Sequence, residues 1–286
     1  MKGIVLAGGT GSRLWPVTWG VSKQLIPVYD KPLVHYPIAT LMLAGIREIL
    51  VISTPQDLES FKRLLGSGDK YGVSFSYSVQ EQPRGLVEAF IIGSKFIGAD
   101  KVSLILGDNI FYGSGLGSQL KQLNDVSGAH IFAYKVQDPQ RYGVVEFDST
   151  GKVLSLEEKP QSPKSSYAIP GLYFYDNEVL EIAKDIEPSS RGELEITSLN
   201  QRYLQQEKLH STILRPGTAW LDSGTFESLS AASAFIQIIE ERQGQKISCL
   251  EEVAWRNGWI SDSDLMVRAD EYKLSPFADY LRSLLA

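Results

Sequence analysis

Short apolar runs alternate with amphipathic segments along the first part of the chain. Most of the runs are apolar throughout, which is typical of strands covered on both faces of a sheet. In the segments between them apolar residues recur at helical spacing, and two segments end at Gly45 and Gly66, where a helix commonly stops. The pattern predicts strands at 4–6, 49–52, 73–79 and 102–106, and helices at 34–44, 56–65 and 85–96. This alternation predicts a mainly parallel sheet, with ligands bound where the strands end.

Beyond residue 128 the pattern changes, because strand-like segments are joined by short turns rather than by helices. Strands are predicted at 131–134, 143–147, 153–157 and 171–175, and a helix is predicted to open at Arg191. We therefore predict one α/β domain over residues 1–286. It would contain a Rossmann-like, mixed and mainly parallel sheet with helices on both faces (1–128), a smaller β-rich lobe (129–224) and a C-terminal helical segment (225–286).

Composition narrows the class of protein. The chain has 286 residues, 43% of them hydrophobic, enough for one large domain or two small ones. A net charge of −6 without a basic stripe argues against nucleic acid and against an anionic membrane surface as partners. The single cysteine, Cys249, excludes an internal disulfide, and three scattered histidines argue against a zinc site. Without a signal-peptide pattern or a bilayer-length apolar run, we expect a cytoplasmic protein.

A glycine-rich turn follows the first predicted strand. Gly8, Gly9 and Gly11 leave backbone N–H groups accessible to a phosphate, and the cations Arg13 and Lys23 follow closely. The spacing is not that of a Walker loop, because no lysine directly follows Gly11. It also gives only the first half of a dinucleotide fingerprint, which disfavours an NAD-linked dehydrogenase. The turn therefore predicts a polyphosphate site of another kind.

Two carboxylates and one carboxamide are further candidates for a functional role. Asp108 comes one residue past the strand at 102–106 and could hold Mg²⁺, although a loop aspartate more often makes an Asx turn. Asp222 precedes a predicted helix and could serve as its N-cap. Gln80 ends the strand at 73–79, and its carboxamide matches the N–H and carbonyl edge of uracil or thymine.

The string L-A-G-G-x-G-S-R-L-x-P-x-T, followed by S-K-Q-L-x-P-V, resembles the N-terminal signature of the sugar nucleotidyltransferases, also called sugar-nucleotide pyrophosphorylases, and their thymidylyltransferase branch in particular. The resemblance covers nearly the whole chain and weakens after Ser261. It implies the nucleotidyltransferase fold and an enzyme that makes dTDP-glucose and pyrophosphate from dTTP and α-D-glucose 1-phosphate with Mg²⁺. Further implications are a homotetramer, feedback by a dTDP-sugar and a place in dTDP-rhamnose or deoxysugar biosynthesis.

Carried over position by position, the resemblance assigns a role to each matching residue. The catalytic set is Arg13, Lys23 and Asp108, and the Mg²⁺ ligands are Asp108 and Asp222. The nucleotide-binding set is Leu6, Gly8, Gly9, Gly11, Gln24, Gln80 and Gly85. The sugar-phosphate set is Gly143, Glu158, Lys159, Ile169, Tyr173 and Arg191. The chain departs from the family pattern at Arg84, where aspartate is expected, and at Ile169, where valine is expected.

Two alternatives to this function stay open. One is a sensor that keeps the fold and binds a nucleotide sugar without turnover, although it would not need both of the carboxylates assigned to the metal, Asp108 and Asp222. The other is the same chemistry on UTP or another hexose phosphate, because thymine and uracil show Gln80 the same edge. Discrimination against dCTP is better supported than the choice between dTTP and UTP.

Overall fold

A ten-stranded mixed sheet forms the centre of the protein, and the computed structural model describes all residues from 1 to 286. Fourteen strands are present in total. They are β1 (Lys2–Ala7), β2 (Pro27–Val28), β3 (Lys31–Pro32), β4 (Glu48–Ser53), β5 (Ser74–Val79), β6 (Val102–Leu106), β7 (Asn109–Tyr112), β8 (Ala129–Lys135), β9 (Gly143–Phe147), β10 (Val153–Glu158), β11 (Tyr167–Ala168), β12 (Leu172–Tyr175), β13 (Leu209–Ile213) and β14 (Ala219–Asp222).

The order of strands in the large sheet is β10-β9-β11-β8-β12-β6-β1-β4-β5, with β13 paired to β8. The strands β6, β1, β4 and β5 run parallel, and β12 joins β6 in the antiparallel sense. The β-rich part is therefore continuous with the N-terminal part in a single sheet. Two small antiparallel pairs, β14 with β7 and β2 with β3, lie outside this sheet.

Eleven α-helices accompany the strands. They are α1 (His35–Leu43), α2 (Leu58–Leu65), α3 (Glu88–Ile92), α4 (Ser94–Ile97), α5 (Leu116–Lys121), α6 (Val179–Lys184), α7 (Ile196–Gln205), α8 (Phe226–Gln243), α9 (Leu250–Arg256), α10 (Asp262–Glu271) and α11 (Pro276–Ser283). None of the helices combines the length and the apolar composition that a membrane span requires. The predicted strands and the helical C-terminal segment are confirmed, with ends that differ by a few residues.

The sheet is covered on both faces, and β1 shows this directly. Val5 and Ala7 pack into one hydrophobic cluster, which includes side chains of α1 and α2. Ile4 and Leu6 pack into the opposite cluster, which includes side chains of α3 and α7. Successive side chains of a strand point to opposite faces, so the uninterrupted apolar run is what a doubly covered strand requires. The predicted α/β class is confirmed.

Three local predictions differ from the structure. The helix predicted at 85–96 is two short helices that meet at Gly93, where a Cβ atom would lie 2.8 Å from the Ala89 carbonyl oxygen and 3.0 Å from Ile4 Cδ1. The helix predicted to open at Arg191 begins at Ile196 instead.

The third difference concerns the start of α8. Its N-cap is Thr225, whose side chain accepts a hydrogen bond from the Ser228 N–H while the Ser228 hydroxyl accepts one from the Thr225 N–H. This capping box satisfies the helix terminus, so Asp222 is not needed there. The Asp222 carboxylate is left available for another role.

A buried group of charges joins the β2–β3 hairpin to the end of α8. Lys31 donates to Glu240 at 2.9 Å and Lys246 donates to the same carboxylate at 3.0 Å, while both lysines also contact Asp30. The Ile247 N–H adds a third hydrogen bond to Glu240, at 2.8 Å. The side chains of Lys31 and Glu240 are 2% and 4% exposed, so neither charge has water as a substitute partner.

Replacing Glu240 with alanine leaves Lys31 buried with only Asp30 as a partner. We expect Glu240→Ala to lower the free energy of unfolding by about 3 kcal/mol, measured by urea denaturation. Glu241→Ala removes the same charge from the exposed neighbouring position and is expected to change stability by less than about 0.5 kcal/mol. Equal stabilities of the two variants would contradict a structural role for the cluster.

Candidate active site

The candidate site lies at the carboxyl ends of β1 and β6, where the direction of strand order reverses. From β1 the chain proceeds to β4 on one side, whereas β6 lies on the other side. The two strands are in register from Lys2 opposite Val102 to Leu6 opposite Leu106. The Gly107 N–H then donates to the Leu6 carbonyl at 2.9 Å. A crevice at such a switch point is the usual ligand site of an open α/β sheet.

The glycine turn lies directly against Gln80. A Cβ atom on Gly8 would lie 2.5 Å from Gln80 Oε1, so any other residue at position 8 would displace the carboxamide. Gln80 is 5% exposed. Its backbone N–H donates to the Ser53 carbonyl at 2.8 Å, which holds the residue at the end of β5. The two sequence features that we assigned to the nucleotide are therefore in contact.

These residues line a cavity of about 320 Å³. Ten predicted site residues line it: Leu6, Gly8, Gly9, Arg13, Lys23, Gln24, Gln80, Gly85, Asp108 and Lys159. Gly11 lines an adjoining cavity, also of about 320 Å³, together with Gly8 and Arg13. We call the first the nucleotide cavity.

Gly85 turns the chain beneath this cavity with a φ of 111°, a conformation that favours glycine. Its Cβ would lie 2.4 Å from the Leu194 carbonyl oxygen. Hydrogen bonds on both sides hold this approach, from the Leu194 N–H to the Arg84 carbonyl at 2.7 Å and from the Val87 N–H to the Leu194 carbonyl at 3.2 Å. Arg84 contributes its backbone here and its side chain is exposed, so the departure at this position leaves the loop in place.

Lys23 and Asp108 form an ion pair at the floor of the nucleotide cavity. Burial raises the pKa of the Asp108 carboxyl. The Lys23 ammonium and the hydrogen bonds from Lys23 and Asn109 lower this pKa by more than burial raises it, so it lies below its ordinary value. Asp108 is therefore an anion at neutral pH. A cation and an anion that are both partly buried at a cavity floor suit a phosphate group and a metal ion, respectively.

Asn109 was not among the predicted site residues, and it orients the centre. Its Nδ2 donates to Asp108 Oδ1 at 2.8 Å. Its Oδ1 accepts from the Trp220 indole N–H at 2.7 Å and from the Gly171 N–H at 3.1 Å. The buried carboxamide thereby ties Asp108 to two other parts of the chain. An asparagine after an aspartate reads as a turn residue, so the sequence carried no signal for this role.

Asp222 reaches the same place on β14. The pairing of β14 with β7 sets Asp222 opposite Asn109, and the Ser223 N–H donates to the Asp108 carbonyl at 3.2 Å. The Asp222 carboxylate lies 3.5 Å from the guanidinium of Arg141, a cation that sequence reasoning missed. Two aspartates separated by more than one hundred residues thus line one cavity.

That second cavity has a volume of about 450 Å³ and adjoins the nucleotide cavity. Both are lined by Arg13, Leu86, Leu106, Asp108 and Lys159. Five of the six predicted sugar-phosphate residues line the second one, namely Gly143, Glu158, Lys159, Ile169 and Tyr173. We call it the sugar cavity. Sequence reasoning missed several polar residues of its wall, among them Tyr142, Thr197 and Asn200.

Glu158 contacts three other polar side chains at the wall of this cavity. It accepts a hydrogen bond from Thr197 Oγ1 at 2.5 Å and lies 3.7 Å from Lys159 Nζ. Arg191, the sixth predicted residue, does not line the cavity. Its guanidinium donates to Glu195 at 2.7 Å and to Glu158 at 3.3 Å, so it stands behind the wall.

The carboxylates that line the sugar cavity fit a divalent metal ion. No cluster of three or more histidine, cysteine, aspartate or glutamate side chains could hold a metal alone. Asp108 and Asp222 nevertheless provide two hard oxygen ligands in one cavity. Mg²⁺ commonly binds through one or two carboxylates together with waters and substrate phosphates, so two are sufficient.

The family model described as nucleotidyl transferase matches residues 2–238. The chain belongs to the nucleotidyl transferase family. It is 58% identical to a glucose-1-phosphate thymidylyltransferase of Mycobacterium tuberculosis over 100% of this chain and 99% of that protein. It is 56% identical to an enzyme of the same name from Neisseria meningitidis, with the same coverage of both chains. Enzymes of this family generally use a divalent metal ion.

Solved structures agree on the fold. A Bacillus anthracis protein, provisionally described as a glucose-1-phosphate thymidylyltransferase and solved with sucrose, superposes with a TM-score of 0.76 at 40% identity, covering 82% of this chain and 94% of that one. A UDP-glucose pyrophosphorylase in complex with UDP-glucose superposes with a TM-score of 0.74 over 83% of this chain and 98% of that one. At 23% identity the latter likeness concerns the fold alone.

The contact between Gly8 and Gln80 generates a prediction. In Gly8→Ala the new methyl group displaces the Gln80 carboxamide, and we expect nucleotide affinity, measured by calorimetry, to fall about tenfold or more. Gly20→Ala lies in the same segment, where a Cβ meets nothing within 4 Å, and is expected to bind as the wild type does. Unchanged affinity in Gly8→Ala would show that the carboxamide does not contribute to binding.

Proposed function

We propose that this protein is a glucose-1-phosphate thymidylyltransferase, which converts dTTP and α-D-glucose 1-phosphate into dTDP-glucose and pyrophosphate. The relatives that carry this name match the chain over its full length. The observation that carries the proposal is the Lys23–Asp108 pair in the nucleotide cavity, whose aspartate also lines the sugar cavity. One cavity has a carboxamide for a base, the other has polar groups for a sugar, and the charges lie between them.

In this mechanism an oxygen of the sugar phosphate attacks the α-phosphorus of dTTP. A new P–O bond forms as the bond between the α-phosphorus and the bridging oxygen to the β-phosphate breaks, and pyrophosphate leaves. The attacking oxygen is already anionic, so no general base is required. The protein must align two anionic substrates and compensate their charge, which is positional and electrostatic catalysis.

Each charged residue has a defined task. Lys23 exchanges Asp108 for the α-phosphate and the sugar phosphate, and Arg13 binds the departing pyrophosphate. Both reach the nucleotide cavity, and Arg13 lines the sugar cavity as well. Asp108 and Asp222 hold Mg²⁺, which when bound draws charge away from the phosphate oxygens. The backbone N–H groups of the glycine turn bind the remaining phosphate oxygens.

The sugar is held by the second cavity. Glu158 and Gly143 bind hydroxyl groups, Lys159 binds the sugar phosphate, and Ile169 and Tyr173 form the wall. Arg191 acts here through its ion pair with Glu158, which fixes the position of that carboxylate. This role differs from direct phosphate binding and follows from the place of Arg191 outside the cavity.

The proposal extends to assembly and regulation. A cavity of about 430 Å³ lies between α5 and the C-terminal helices, and it shares no lining residue with the sugar cavity or the nucleotide cavity. Lys121, Lys246 and Arg256 are among its lining residues. These cations support it as the place where a dTDP-sugar product exerts feedback. Phe226 and Ile238 on α8 are 44% and 59% exposed, which supports burial of this helix in a homotetramer.

The reaction itself tests the proposal. Purified protein with glucose 1-phosphate and Mg²⁺ is expected to release pyrophosphate with dTTP, more slowly with dCTP, and not at all without the sugar phosphate. UTP is a second possible donor, since it presents the same base edge. A chelator is expected to abolish release and added Mg²⁺ to restore it. Tight binding of dTDP-glucose without release from any pair would favour a sensor.

Removing the Lys23 ammonium tests the assignment of the centre. Lys23→Met is expected to lower kcat by about 10²-fold or more, because a charge aimed at the reacting phosphate is lost. Lys95→Met removes an exposed lysine and is expected to leave kcat unchanged. Steady-state measurement of pyrophosphate release gives both values. A Lys23→Met enzyme with the wild-type kcat would place the chemistry elsewhere.

A further inference from the structure

Gln80 has a partner behind the nucleotide cavity. Its Nε2 donates to Glu88 Oε2 at 2.8 Å. Glu88 is the first residue of α3 and does not line the cavity, whereas Gln80 does. Glu88 is partly buried, and Gln80 is its only hydrogen-bond or ion-pair partner among the side chains.

This contact determines which way the carboxamide faces. A carboxylate only accepts hydrogen bonds, so the group of Gln80 that meets Glu88 must be the NH₂. The carboxamide oxygen then faces the opposite way, toward the backbone of Gly8, where a Cβ would lie 2.5 Å from it. Rotating the carboxamide by half a turn would set its oxygen against the Glu88 carboxylate, and two acceptors repel each other.

The orientation has a consequence for the base. An acceptor held at this position matches a pyrimidine that carries a proton on N3, as thymine and uracil do. Cytosine has an unprotonated N3, an acceptor, which would face the acceptor of Gln80. The second N–H of the Gln80 NH₂ group remains free for a base carbonyl. A carboxamide that could rotate freely would accommodate either kind of base.

We propose that Glu88 is a positioning residue which, by fixing the orientation of the Gln80 carboxamide, selects nucleotides with an N3–H group and excludes cytosine nucleotides. This inference rests on the proposed function, because it assigns the nucleotide cavity to the pyrimidine base. Glu88 acts through Gln80 and does not itself touch the base. Selectivity is thus shared between a residue that contacts the ligand and one that determines its hydrogen-bonding pattern.

Glu88→Gln tests the inference with a side chain of the same size that can donate as well as accept. We expect the ratio of kcat/KM for dTTP to that for dCTP to fall about tenfold, the effect of losing a hydrogen bond to a charged group. The ratio for dTTP to UTP is expected to stay unchanged, since these bases share one edge. Glu88→Ala, which frees the carboxamide altogether, is expected to lose discrimination in the same way.

Glu81→Gln is the matched control. It removes the same charge seven positions earlier in the chain, from an exposed side chain without a hydrogen bond or ion pair, and is expected to keep both ratios. If Glu88→Gln and Glu88→Ala keep the wild-type ratio of dTTP to dCTP, the proposal is wrong. It is also wrong if they lose activity equally with all three nucleotides, because that result indicates a structural role.

Binding separates this inference from the proposed function. Calorimetry of dTTP and dCTP in the absence of sugar phosphate measures base selection without turnover. If the wild type binds dTTP more tightly than dCTP and Glu88→Gln does not, the inference stands even for a protein that releases no pyrophosphate. If the wild type binds the two nucleotides equally, the inference fails, whatever the activity.

Discussion

The parallel pairing of β1 with β6 is the constraint on which the site depends. Because the strands are in register up to Leu6 and Leu106, the glycine turn and Asp108 leave the sheet side by side. The Gly107 N–H extends the pairing by one more hydrogen bond, to the Leu6 carbonyl. Both strands are buried on two faces, so neither can slip without exposing an apolar row to water. Catalytic geometry is thereby tied to the stability of the core.

Charge is organised locally rather than over the whole molecule. The chain carries a net charge of −6 and yet must bind two anionic substrates. Arg13, Lys23, Lys159 and Arg141 are gathered around the joined cavities. Lys23 and Arg141 each face a carboxylate that is proposed to bind metal. A cation that is paired with an aspartate can turn to a phosphate while the aspartate binds the metal, without large movements of the backbone, which suits a preorganised site.

Hydrogen-bond direction is set by neighbours that do not reach the ligand. Asn109 can use both ends of its carboxamide because Trp220 and Gly171 supply donors to its oxygen, and its NH₂ group then has to face Asp108. Glu88 acts on Gln80 in a similar way. A carboxamide has an acceptor oxygen and a donor NH₂ group, so the group that it offers to a ligand depends on which of the two a neighbouring residue already binds. Glu88 lies on α3, whose apolar side chains pack against the sheet, so recognition is linked to packing.

The sequence by itself determined the parts whose signal is local. Apolar runs predict the strands β1, β4 and β6, because a doubly covered strand has no polar face. The glycine turn predicts a phosphate site, because glycine leaves the backbone N–H groups open. The same holds for the string around Lys23 that indicated the family. The family resemblance assigned the site residues position by position, and all of them except Arg191 line one of these cavities.

Other features were decided only by the tertiary structure, because they depend on contacts between distant residues. Gly93, where two short helices meet, lies close to Ile4, and Arg191, outside the sugar cavity, pairs with Glu195 and Glu158. The pairing of Asp222 with Asn109 across β14 and β7, and that of Glu88 with Gln80, join residues whose separate sequence contexts say nothing of each other. Periodicity predicts which face of an element is buried, but a hydrogen-bond partner is chosen by the fold.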